Sequence, residues 1–176
     1  MIDIITVVNG MLDENCYIIH NGQIGLVVDP GIDGKKILET IKSLGINIVG
    51  ILVTHSHFDH IGSLEEMKKE YPSAVIINNE TKGDKSIGLF KFKIIENPGH
   101  TSDSVSFYFD NENILFSGDF VFRGTIGNFP EGMEDDMIKS LNVFKYMSPN
   151  VVVYPGHGPS TTVKEELLNN PFLRGI

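Results

Sequence analysis

The stretch Val53-Thr54-His55-Ser56-His57-Phe58-Asp59-His60-Ile61-Gly62 constrains this chain more than any other. It follows the apolar run Ile46 to Val53, which is short, rich in β-branched residues and abruptly ended, as a buried strand is. Beyond it, Ile61, Leu64, Met67 and Tyr71 recur at helical spacing, with Glu65, Glu66, Lys68 and Lys69 turned to water. Three imidazoles and a carboxylate therefore crowd a strand-to-helix turn, where α/β sheets open a ligand crevice. Neutral imidazole nitrogens and carboxylate oxygens are donors for a borderline metal such as zinc. So many titratable groups in one turn perturb one another unless an ion is shared among them. In an extended segment His55 and His57 lie on one face, whereas Asp59 and His60 fall where the chain bends into the helix. That divergence predicts two adjacent ions, each drawing further ligands from elsewhere in the chain.

A chain of 176 residues suits one domain, residues 1–176, with a sizeable core. Its net charge of −9 argues against nucleic acid, which calls for a basic stripe. No apolar run is long enough to span a bilayer, and Met1-Ile2-Asp3-Ile4-Ile5 lacks the marks of a signal peptide. Cys16, the sole cysteine, allows no internal disulfide and fits a reducing, cytoplasmic setting. The expected partner is a small-molecule substrate.

Ile4 to Val8, Cys16 to His20 and Ile24 to Val28 read as strands joined at Asn9-Gly10 and Asn21-Gly22, and strands so closely spaced pair antiparallel. Cys16 and His20 are read as structural. Asp29, at a strand end before Pro30-Gly31, is either an acceptor for the outer nitrogen of a ligating imidazole or an ordinary turn acid. Asp33 caps a helix whose face is Ile37, Leu38, Ile41 and Leu44, and Gly45 closes it. Further strands are expected at Ala74 to Ile77, Phe90 to Ile95, Val105 to Phe109, Ile114 to Phe116 and Val151 to Tyr154, with Asn78 to Gly88 as loop or short helix. Met137, Ile138, Leu141, Phe144 and Met147 mark one amphipathic helix, and Val163, Leu167 and Leu168 a closing one stopped by Asn170-Pro171.

His100, Asp119 and His157 repeat one context: an apolar strand, a glycine turn, then a side chain able to bind metal. They complete the two sets. His55, His57 and His100 take one ion, Asp59, His60 and His157 the other, and Asp119 bridges them at the roughly 3.5–4 Å spacing of hydrolytic two-metal centres.

The set His55-x-His57-x-Asp59-His60, His100, Asp119, His157 resembles the metal motifs of the metallo-β-lactamase superfamily, in order and over the whole chain. The resemblance implies an α/β fold, a four-layer αβ/βα sandwich with the metal site at one edge, and makes Asp29 an acid that supports the metal loop. His57 separates the chain from the diiron flavoproteins, which carry Glu there. Pro98-Gly99-His100-Thr101, Gly118-Asp119, Gly124-Thr125-Ile126-Gly127 and Asn170-Pro171-Phe172-Leu173-Arg174 look most like the glyoxalase II-like hydrolases. Those that act on glutathione thioesters carry a cation where Asn128 stands, often an aromatic where Pro130 stands, and a large helical domain for which this chain ends too soon. Arg123 is the nearby alternative cation.

The expected activity is hydrolysis of small thioesters through a metal-bound hydroxide, with Asp59 and Asp119 orienting it and holding its proton. The ions are two divalent metals, zinc first, with iron or manganese as alternatives. A mononuclear iron persulfide dioxygenase keeps the same ligand residues, and a non-catalytic metal-binding module is the remaining alternative.

Overall fold

The computed structural model describes residues 2–174. Strands β1 (Asp3–Asn9), β2 (Glu14–His20) and β3 (Ile24–Val28) form the antiparallel meander their spacing predicts, with Val7 opposite Cys16 and Ile18 opposite Val27. Helix α1 (Gly34–Leu44) begins where Asp33 Oδ1 accepts from Lys36 N at 3.2 Å and ends at left-handed Gly45. It crosses over to β4 (Asn47–Leu52), which pairs parallel with β3.

The helix expected after the histidine turn is two pieces, α2 (Phe58–Ile61) and α3 (Leu64–Glu70). At the interruption Ser63 N donates to Pro30 O at 3.1 Å instead of to the helix, and glycine at 62 leaves room for Ile32, whose Cγ2 would lie 2.5 Å from a Cβ there. Strand β5 (Val75–Ile77) completes a five-stranded sheet in the order β1-β2-β3-β4-β5.

The second sheet opens with β6 (Asp84–Ile87), in the segment expected to be loop or short helix. Pairing antiparallel with β7 (Phe90–Glu96) makes it a strand, and its polarity suits the sheet edge it occupies. Then come β8 (Val105–Phe109), β9 (Ile114–Gly118) and a small hairpin, β10 (Val121–Phe122) with β11 (Thr125–Ile126). After α4 (Glu134–Lys145), β12 (Val152–Pro155) returns parallel to β9, and β13 (Thr161–Thr162), α5 (Val163–Asn169) and α6 (Pro171–Arg174) follow. The order is β13-β12-β9-β8-β7-β6.

Side-chain alternation divides each sheet between two cores. Tyr17, Ile19, Leu26, Val28 and Leu52 meet Phe90, Phe92, Phe107, Phe109 and Phe116 between the sheets. The intervening Cys16, Ile18, Val27 and Ile51 face Ile37, Ile41 and Met67 of the helices. On the far side Leu115 and Val153 pack against Met137, Leu141 and Phe144. Each large side chain buried this way contributes roughly 1.5–3 kcal/mol relative to exposure. Helix, sheet, sheet, helix is the four-layer sandwich that the resemblance implies. No described helix is long and apolar enough to cross a membrane.

Candidate metal centre

Loops leaving β4, β7, β9 and β12 bring all seven predicted side chains to one edge of the sandwich. His55 Nε2 lies 3.1 Å from His57 Nδ1, which lies 2.9 Å from His100 Nε2. Beside them His157 Nε2 is 3.2 Å and His60 Nε2 3.8 Å from Asp59 Oδ2. Donor atoms within each trio lie within 4.8 Å of one another. Asp119 stands between the trios: its Oδ2 is 3.5 Å from His100 Nε2 and 3.6 Å from His157 Nε2, and its Oδ1 is 3.2 Å from His60 Nε2.

Four of the five rings have their outer nitrogen fixed by an oxygen, which orients the inner nitrogen toward the centre. His55 Nδ1 is 3.1 Å from Thr54 Oγ1. His60 Nδ1 donates to Asp29 Oδ2 at 2.9 Å, His157 Nδ1 to Leu12 O at 2.9 Å, and His100 Nδ1 to Asn128 O. Asp29 is thus an imidazole partner rather than an ordinary turn acid. It also accepts from Thr54 N at 2.7 Å and from Thr54 Oγ1 at 2.6 Å, joining two anchors. Close approach demands glycine at 156, where a Cβ would lie 2.2 Å from Asp119 Oδ1 and 2.6 Å from His60 Cε1.

Burial and neighbouring charge set the electrostatics. Burial, reinforced by His60, lowers His55 to about 4, so the ring is neutral near pH 7 and keeps one nitrogen lone pair free. For His60 burial acts downward, but the carboxylates of Asp119 and Asp29 outweigh it and raise the group to about 11. Burial opposes ionisation of Asp119, yet His60 beside it holds its carboxyl below the usual range. His60 Nε2 and Asp119 Oδ1 are both buried without a hydrogen-bond partner. Orphaned donors of these types, aimed at one point, fit divalent ions.

Four contributors escape sequence reasoning. Glu14 is 1% exposed, neither of its side-chain oxygens has a partner, and its Oε1 is 3.9 Å from His60 Nδ1. Burial, then the adjacent Asp29, push its carboxyl up to about 9. A Glu beginning a strand gives no cue; only its place opposite Asn9 beneath the turn does. Asn15 fastens the His157 loop, and Thr54 ties Asp29 to His55. Glu166 accepts from Gly124 N at 2.9 Å and from Asn170 Nδ2 at 2.8 Å, and Asn170 Nδ2 also donates to Thr125 O at 2.9 Å. The two glycine- and proline-containing motifs that follow Asp119 in sequence are therefore in contact. Asn128 and Arg123 are exposed, and Asn128 serves the site through its backbone carbonyl.

The sequence matches the family model of the metallo-beta-lactamase superfamily over residues 9–88 and 80–157. The chain belongs to that superfamily. Within it, the chain is 32% identical to a probable metallo-hydrolase of Streptococcus pyogenes, over 94% of this chain and 88% of the relative. It is 26% identical to hydroxyacylglutathione hydrolase GloC of Haemophilus influenzae, over 91% of this chain and 92% of the relative. Among solved superfamily structures, BLEG-1 B3 metallo-beta-lactamase superposes with a TM-score of 0.90 at 26% identity, covering 99% of this chain and 100% of that one. TTHA1623 in a di-iron-bound form superposes at 0.86 with 28% identity, covering 96% and 100%.

Proposed function

We propose that this superfamily member is a metal-dependent hydrolase of small thioesters. His55, His57 and His100 would hold one divalent ion, Asp59, His60 and His157 a second, and Asp119 reaches toward both sets. Convergence of these seven side chains on one edge, with Asp119 Oδ2 within reach of both trios, is the observation that carries the reading. Such ions supply a hydroxide nucleophile near neutral pH and polarise a carbonyl. Zinc is the first expectation; the di-iron neighbour makes iron the alternative.

The chain's own groups favour a thioester. A thiol, with a pKa of about 8.5, leaves as thiolate without an acid. An amide nitrogen must be protonated, and the acids facing the site are engaged with histidines: Asp59 with His157, Asp119 with His60 and His100. Asp59 and Asp119 are placed to accept a proton from the attacking water and orient it. The likeness to the Haemophilus hydrolase supports a thioester of a small thiol carrier.

Glutathione is a weakly held carrier in this reading, because exposed Asn128 offers no cation. Each charge-assisted contact of that kind is worth roughly 1.5–3 kcal/mol. S-lactoylglutathione should be hydrolysed with a high KM. His57→Ala should abolish turnover, and Asn128→Lys should chiefly lower KM. A low-micromolar KM in the wild type would show that other residues hold glutathione. Oxygen consumption with a persulfide by the iron-loaded protein, without thioester turnover, would replace the hydrolase by a dioxygenase.

A further inference from the structure

Strand β2 sends Tyr17 and Ile19 into the core between the sheets, and a strand's period of two places Asn15 on that same side. Asn15 is 4% exposed and faces the loop that follows β12. Its backbone N donates to Gly156 O at 2.7 Å, and its Nδ2 donates to Pro155 O at 3.1 Å and to Gly158 O at 2.8 Å. Tyr17 Oη donates to Pro155 O at 2.5 Å. The carbonyls on both sides of His157 are thus gripped by one strand of the opposite sheet. His100, by contrast, is anchored by Asn128, far from β2 in the fold's connectivity.

We propose that Asn15, assisted by Tyr17, is a positioning residue for His157 and governs occupancy of the second ion site alone. This rests on the two-ion reading above. A metal centre tolerates ligand distances only within about ±0.2 Å. Without the Asn15 amide, Gly158 O loses its donor while the Asn15 N–H still tethers Gly156. The loop stays attached and His157 keeps its contact with Leu12 O, but one constraint that holds its ring between Asp59 and Asp119 is lost.

The test is zinc binding by the full chain, measured as equivalents retained across a series of buffered free zinc concentrations. Wild type should bind two equivalents. Asn15→Ala should keep the first unchanged and bind the second at least ~10-fold more weakly, the scale of losing a partner outside the ligand shell. Tyr17→Phe should weaken the second by a smaller factor. Far-UV circular dichroism and melting of the metal-free proteins check the fold. Both equivalents bound by Asn15→Ala as in wild type would overturn the proposal, as would equal weakening of both. If Asn15→Ala does not fold, Tyr17→Phe decides: unchanged second-ion affinity overturns the proposal. Fewer than two equivalents in wild type would instead remove the two-ion reading, before any variant is considered.

Discussion

The two trios of the centre use similar donors but rest on different foundations. His55, His57 and His100 are three imidazoles, and His55 is held at about 4 by burial, so protons compete little for it. Asp59, His60 and His157 include a carboxylate, and beneath them lie two more acids, Asp29 and Glu14. There the carboxylates of Asp119 and Asp29 raise the proton affinity of His60, so protons compete with a cation for it. Similar donors thus sit in different surroundings: the second trio has the carboxylates of Asp29 and Asp59 about it, and the first is neutral.

Breaking the shared element should have the largest effect. Even outer-sphere substitutions cost about 10–100-fold in metal affinity. Asp119→Ala removes a group that touches both trios, so it should lose at least one metal equivalent and more activity than that. Full two-metal occupancy in this variant, measured by elemental analysis, would refute the bridging assignment.

Chelation tests both trios as links between sheets. Each ion bound only by the native state adds about 4 kcal/mol at a thousandfold excess over Kd. At roughly 2–4 °C per kcal/mol for a chain of this size, metal removal should lower Tm by at least ~8 °C. An unchanged melting curve with metal loss verified would mean that neither trio ties the fold together.

The smallest effect isolates the acids beneath the second trio. Glu14 has a raised folded pKa of about 9, so its contribution to stability is complete below the unfolded value of 4.5 and declines as pH rises through 9. At pH 7.5 the unfolded carboxyl is ionised and the folded one neutral, which favours unfolding. In the metal-free protein Glu14→Gln should therefore raise stability at pH 7.5 by roughly 1–3 kcal/mol. The gain should shrink toward pH 5 in denaturant titrations. A gain that does not change with pH would place its origin in packing instead.

The seven candidate side chains were legible because each follows an apolar strand and stands beside turn residues, a local pattern; the structure brings them to one edge. Strands β1 to β3 and the Asp33 cap were legible for the same reason. What stayed hidden depends on partners distant in sequence. The break between α2 and α3 falls where Ser63 N donates to Pro30 O, a partner 33 residues back. Strand β6 exists because β7 pairs with it, and its residues lack apolar alternation. Asn15 acquires its role only when β12 arrives from the other sheet.

One feature of the site bears on how the chain folds. Its candidate residues run from His55, just after β4 of the first sheet, to His157, after the parallel pairing of β9 with β12 in the second. The β1–β3 meander is local and closes short loops, whereas β12 must find β9 across α4. Contacts of such separation form slowly. Early in folding the His55–His60 turn presents only part of the donor set, so under the proposed two-ion reading tight capture waits for β12. The rate at which an added metal becomes locked in would then be a clock for the docking of the two sheets.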